Sequence, residues 1–212
     1  MKRTRIKICG ITSPEDAMAA VDAGADAIGL VLWERSPRAV SIEIAAEICS
    51  RVPAFITTVA LTVDADADLV NGIRDKLKVD IIQCHGNESP ERCERSGIPY
   101  MKAIRMRKDV VLEEEIERFS GARSILLDAY RKGIPGGTGE RFDWLRIPAS
   151  YRPQIVLAGG LNSANVAEAI TTVKPYAVDV SGGVEASPGI KDHRKITEFV
   201  AAVRVGDQRV YG

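Results

Sequence analysis

The sequence is poor in aromatics, in histidine and in any excess of one charge, and each shortage removes a class of function. Phe, Trp and Tyr supply 5% of the 212 residues against 45% for all hydrophobic types, so the core must be aliphatic rather than ring-packed. Two histidines, His85 and His193, are too few for a histidine-rich catalytic metal centre. The four cysteines, Cys9, Cys49, Cys84 and Cys93, form no C-x-x-C pair. That spacing argues against a zinc ribbon or a disulfide framework and predicts free thiols in a reducing compartment. Lys+Arg and Asp+Glu both number 29, which leaves no net field to attract nucleic acid or a membrane surface. Any anionic ligand must be caught locally. No apolar run approaches the ~20 residues that cross a bilayer, and the polar opening Met1-Lys2-Arg3-Thr4-Arg5 has no signal-peptide core. The expectation is a cytoplasmic protein whose chemistry needs no metal.

What the chain does have is alternation. Short β-rich runs occur at Arg5 to Cys9, Ala27 to Leu32, Phe55 to Val63, Val79 to His85, Tyr100 to Arg105, Ser124 to Ala129, Gln154 to Ala158 and Tyr176 to Ser181. Amphipathic stretches with helix-start signals lie between them: Ser13-Pro14-Glu15-Asp16, Ser41 with Glu43, Asp64 with Asp66 and Asp68, Ser89-Pro90-Glu91, and Asn162-Ser163. Lys108 to Phe119 and Lys191 to Val203 also read as helices. The sixth connection differs, because Arg131 to Gly139 is a glycine-rich loop that leaves room only for a short helix near Phe142 to Arg146. A long glycine loop of this kind suits an active-site element.

Strict alternation implies a parallel sheet. Eight units predict a single eightfold βα (TIM) barrel over residues 1–212, with strands inside, helices outside and a short sixth helix. A doubly wound sheet is the alternative, but Gly10-Ile11-Thr12-Ser13 after the first strand lacks the G-x-G-x-x-G pattern that such a sheet would carry.

Side chains alternate along a strand, so Lys7 and Cys9 are predicted to face the barrel axis, as are Leu126 with Asp128, Gln83 with His85, and Asp179 with Ser181. Polar groups thereby gather at the C-terminal strand ends, where barrels build active sites. Bland readings compete with functional ones. Cys9 fits an inert buried thiol. Asp128 or Asp179 fits a structural partner for Lys7, His85 fits a loop-closing residue, and His193 fits a solvated one. Two glycine turns are more specific. Ala158-Gly159-Gly160-Leu161-Asn162 and Ser181-Gly182-Gly183-Val184-Glu185 follow the seventh and eighth strands, where bare amides commonly hold a phosphate. Arg35 and Arg38 in the second loop offer guanidinium groups to a further anion such as a carboxylate.

Several segments, in this order, resemble the phosphoribosylanthranilate isomerase family of tryptophan biosynthesis: Lys7-Ile8-Cys9-Gly10-Ile11-Thr12, Gly24 to Gly29, Ser36-Pro37-Arg38, Gln83-Cys84-His85-Gly86, Leu127-Asp128-Ala129, Gly136-Gly137-Thr138-Gly139 with Phe142-Asp143-Trp144, Leu157 to Leu161, Val178 to Ser181 and Pro188 to Asp192. The resemblance implies a cofactor-free Amadori rearrangement of N-(5-phosphoribosyl)anthranilate. It makes Asp128 the general acid, which must carry its proton to protonate the furanose oxygen, and Cys9 the general base at C2′. An inward Lys7 ammonium is expected to help Cys9 become a thiolate. The resemblance also assigns Arg38 to the anthranilate carboxylate, Gly159, Gly160, Ser181 and Gly182 to the phosphate, and Asp179 to a positioning role. It implies a small-molecule substrate as the partner, with a monomer or homodimer as the acting form. Departures from the family pattern are Cys84 where leucine is usual, Gly182 where a second serine is usual, and Ala60-Leu61-Thr62-Val63-Asp64. Rival readings are indoleglycerol-phosphate synthase, which needs a catalytic lysine and glutamates, and a silent barrel that binds a phosphorylated metabolite without turnover.

Overall fold

Strands and helices alternate through the computed structural model, which describes residues 3–129 and 142–212. The strands are β1 (Arg5–Cys9), β2 (Ala27–Val31), β3 (Thr57–Thr62), β4 (Ile81–Cys84), β5 (Tyr100–Arg105), β6 (Ser124–Asp128), β7 (Ile155–Leu157) and β8 (Ala177–Val180). Each pairs in parallel with the next, and β8 returns to β1 to close the barrel. Closure rules out the doubly wound alternative. The two-residue period then sorts the core. Ile6, Ile8, Ile125 and Leu127 pack outward under the helices, while Val59, Met101, Ala103, Leu126 and Val156 fill the inside.

Capping chemistry fixes where the helices start. Before α1 (Pro14–Ala23), Ser13 Oγ accepts from the Asp16 N–H at 3.1 Å, and Gly24 ends the helix at φ +107°. Ser41 caps α2 (Ile42–Arg51) and Ser89 caps α4 (Pro90–Glu94). The cap of α3 (Ala67–Lys76) is Asp66; Asp64 lies outside the helix, where its Oδ1 accepts from the Asn87 N–H at 2.8 Å. Three glutamates in the first turn suit the positive end of α5 (Leu112–Arg118).

The short sixth helix expected near Phe142 to Arg146 is present as a 3-10 turn over Trp144–Arg146, which leaves seven α-helices among the described residues. The glycine loop Arg131 to Gly139 lies outside the described residues. After α6 (Val166–Val173), the last helix is α7 (His193–Tyr211), longer than the Lys191 to Val203 expected. Gly206 permits the extension, since a Cβ there would come 3.0 Å from Ile170 Cβ on α6. Lys191 is not helical. It belongs to a small hairpin of β9 (Glu185–Ser187) and β10 (Ile190–Lys191) that follows the barrel's last strand. Among the described residues, no helix is long and apolar enough to cross a membrane.

Candidate active site

The C-terminal strand ends open onto a cavity of about 470 Å³. Cys9, Arg38, Asp128, Gly159, Gly160, Asp179, Ser181 and Gly182, which come from five separate stretches of chain, all line it.

One wall is built on β1. Lys7 and Cys9 both point inward, and Cys9 pairs in register with Gly29 of β2. A Cβ at Gly29 would lie 2.8 Å from Cys9 Sγ and 3.0 Å from Lys7 Nζ, so the missing side chain is what lets thiol and ammonium sit side by side. Lys7 Nζ donates to Asp179 Oδ1 at 2.9 Å. Of the two carboxylates offered by the sequence, Asp179 is therefore the ion partner of Lys7. Burial pushes the Lys7 ammonium down, but Asp179 and Cys9 together outweigh it and hold the group above its ordinary value. For Cys9, burial pushes the thiol up, Lys7 pulls it down and Asp179 adds to the rise. Lys7 acts on the thiol in the expected direction, yet desolvation wins and the net shift is upward.

The facing wall holds Asp128 at the end of β6. Its Oδ1 accepts from the Ala129 N–H at 2.9 Å, and its Oδ2 lies 3.2 Å from His85 Nε2. The other ring nitrogen, Nδ1, is 2.9 Å from Gln83 Nε2. An amide nitrogen only donates, so Nδ1 accepts and a neutral His85 carries its proton on Nε2, facing Asp128. His85 thus does more than close a loop. Its sharing a face with Gln83 was visible in the sequence, whereas its contact with Asp128, across the intervening β5, was not. His193 is half-exposed and bonds Asp16 Oδ1 at 2.8 Å.

The two glycine turns meet at the cavity rim. Gly159 and Gly160 adopt φ +83° and +67°, conformations that favour glycine. The Gly159, Gly160 and Leu161 amides have no protein acceptor among the described residues. Gly183 packs against the Leu161 carbonyl with no room for a side chain, which locks the two turns together. Arg38 reaches in from the loop after β2, and Glu185 grips it through Nε and Nη2, both at 2.7 Å. Sequence reasoning assigned no role to Glu185 or Lys191, although both fall inside the quoted motifs. Their pairing depends on the hairpin, which strand periodicity does not reveal.

A barrel with glycine turns after its last two strands, and with a thiol and a carboxyl group set into the same mouth, falls among the phosphate-binding βα-barrel enzymes. Residues 6–202 match the family model of N-(5′-phosphoribosyl)anthranilate (PRA) isomerase. Relatives named N-(5′-phosphoribosyl)anthranilate isomerase include those of Chromohalobacter salexigens, 54% identical over 96% of this chain and 95% of that one, and of Pseudomonas putida, 52% identical over 96% and 99%. Among solved structures, phosphoribosyl anthranilate isomerase from Thermotoga maritima is 38% identical, with a TM-score of 0.81 over 95% of this chain and 98% of that one. Another phosphoribosyl anthranilate isomerase, bound to reduced 1-(o-carboxyphenylamino)-1-deoxyribulose 5-phosphate, is 38% identical with a TM-score of 0.79 over the same shares. The chain belongs to the N-(5′-phosphoribosyl)anthranilate isomerase family and is an isomerase of tryptophan biosynthesis.

Proposed function

We propose that this isomerase converts N-(5-phosphoribosyl)anthranilate to 1-(2-carboxyphenylamino)-1-deoxyribulose 5-phosphate with Asp128 as general acid and Cys9 as general base. The observation that carries the assignment is the placement of this thiol and this carboxyl group at the ends of β1 and β6, three strands apart around one cavity. Asp128 protonates the furanose ring oxygen. The C1′–O bond breaks, and the nitrogen lone pair closes a protonated Schiff base. The Cys9 thiolate then takes the C2′ proton, and the electrons of that C–H bond form the enolamine C1′=C2′ bond while neutralising the iminium. Tautomerisation moves a proton to C1′ and releases the C2′ hydroxyl proton to give the aminoketose. His85 Nε2–H, beside Asp128 Oδ2, donates a hydrogen bond that steadies the carboxylate formed when the proton leaves, and the proton released from the C2′ hydroxyl restores the acid.

The phosphate rests in the amides of Gly159, Gly160 and Gly182 beside Ser181, and Arg38 takes the aryl carboxylate. Asp179 holds Lys7 against Cys9. Trp33, Val31 and Leu61 supply an apolar wall near the thiol for the aromatic ring. The test is loss of substrate fluorescence on mixing the protein with freshly formed phosphoribosylanthranilate. Cys9→Ala and Asp128→Asn should each lower kcat by about 10²- to 10⁴-fold while keeping the wild-type melting temperature. Wild-type turnover in either variant would strip that residue of its role.

The chain acts as one cytoplasmic barrel domain, as monomer or homodimer. A Thermotoga maritima relative, 37% identical with a TM-score of 0.78, is a monomer generated from a dimeric phosphoribosylanthranilate isomerase. Phe55, fully exposed at φ +72° just before β3, is the apolar side chain a second copy would cover at the end of the barrel opposite the cavity. Light scattering on wild type and Phe55→Glu checks this, since equal masses would remove Phe55 from any interface.

A further inference from the structure

Glu185 is buried, opens β9, and directly follows the turn that begins at Ser181. Its Oε1 and Oε2 accept from Arg38 Nε and Nη2 at 2.7 Å each, and Oε1 accepts again from Lys191 Nζ at 2.9 Å. Lys191 has no exposed side-chain surface and gives a second bond to the Ser181 carbonyl at 3.2 Å. The Arg38 stem crosses directly over Gly10, where a Cβ would come 2.6 Å from Arg38 Cδ. Arg38 is therefore confined along its stem and gripped at its fork. Its Nη1 alone among the guanidinium nitrogens has no protein acceptor among the described residues. Burial pushes the Glu185 carboxyl up, but the bonds and charges of Arg38 and Lys191 outweigh it and hold the group below its ordinary value, so it remains a carboxylate.

Two cations and one anion leave this cluster with one positive charge, the complement of a single carboxylate. A bidentate carboxylate also sets the plane of a guanidinium, which charge balance by itself would not do. We propose that Glu185 is a positioning residue for substrate recognition: it orients Arg38 so that Nη1 meets the aryl carboxylate, and through Lys191 it ties that orientation to the Ser181 turn. The carboxylate and phosphate ends of the substrate are then read at one fixed separation. The inference rests on the assignment of Arg38 to the carboxylate.

The experiment compares phosphoribosylanthranilate with the glycosylamine formed from aniline and ribose 5-phosphate, which lacks the carboxylate, the latter used as substrate or competitive inhibitor. Glu185→Gln should raise KM for the carboxylated substrate about 10- to 100-fold, as expected for loss of charge-assisted hydrogen bonds, with kcat within about threefold. It should leave the constant for the aniline compound unchanged, and Arg38→Met with Glu185→Gln should be no worse than Arg38→Met alone. Equal losses on both compounds, or additive losses in the double variant, would overturn the proposal. If Arg38→Met itself fails to discriminate the two compounds, the assignment of Arg38 falls and the Glu185 inference falls with it for that separate reason. Should Glu185→Gln fail to fold, Arg38→Lys keeps the charge but loses the fork. The same selective rise in KM is expected there, and its absence would equally overturn the proposal.

Discussion

The two walls of the cavity are built from different materials. Around Cys9 lie Lys7, Asp179, Lys191, Glu185 and Arg38, three cations and two anions linked by bonds of 2.7 to 2.9 Å. Around Asp128 lie an imidazole, a carboxamide and a backbone amide, joined at 2.9 to 3.2 Å. The contrast follows from what each group has to do. Burial keeps a thiol protonated, so a base made from one needs nearby positive charge to become a thiolate. A carboxylic acid that must hold and release a proton would be stripped of it by the same cations. It gains more from neutral hydrogen-bond partners that orient it without drawing its proton away.

Lys7→Met should break this contrast most severely. It leaves Asp179 as a buried, unpaired carboxylate, a loss of ~3–5 kcal/mol in stability, to be read by denaturant melts. It also removes the nearest force pulling the Cys9 thiol down, so the thiol titrates still higher than burial already places it. Because the thiolate is the active form, the ascending limb of kcat/KM against pH moves to higher pH. Turnover at neutral pH then falls on the order of 10²- to 10³-fold for loss of one close charge. Adding Asp179→Asn should recover stability and bring the limb part of the way back, since Asp179 itself raises the thiol. A limb that stays in place in both variants would show that the ionic wall does not tune Cys9.

The two walls also differ in how far they could be read in advance. Period-two alternation placed Lys7, Cys9, Asp128 and Asp179 inside the barrel, because strand geometry leaves a side chain only two directions. Repeated capping residues and aliphatic runs were enough for the barrel itself. Partner choice was not legible. Nothing local says that Lys7 takes Asp179 rather than Asp128, since that depends on β8 closing next to β1. The clamp on Arg38 needs a hairpin of three and two residues, too short for any periodic signal. The 3-10 turn at Trp144 was likewise hidden, because three residues carry too little pattern to separate it from a short α-helix.

Gly29→Ala tests the ionic wall without altering any charge. The added methyl would stand 2.8 Å from Cys9 Sγ and 3.0 Å from Lys7 Nζ, forcing thiol and ammonium apart. A displaced base should lower kcat by roughly 10- to 100-fold, with KM little changed because the phosphate turns are distant in the chain and untouched. A rise in KM alone, at constant kcat, would mean that Cys9 contacts substrate without acting on it.

Gln83→Leu probes the neutral wall and should have the smallest effect. The Gln83 carbonyl oxygen is buried without a partner among the described residues, and the side chain instead bonds His85 Nδ1 through Nε2. Leucine keeps the bulk and drops the donor. The imidazole is then free to place its proton on either nitrogen, and the tautomer that faces Asp128 with Nε2–H is no longer enforced. The loss should match one neutral hydrogen bond, about 1 kcal/mol or roughly fivefold in kcat. It should appear in kcat while the ascending Cys9 limb of the pH profile stays where it was. A shift of that limb would mean that the two walls are electrostatically coupled through the cavity, and the separation of an ionic base site from a neutral acid site would fail.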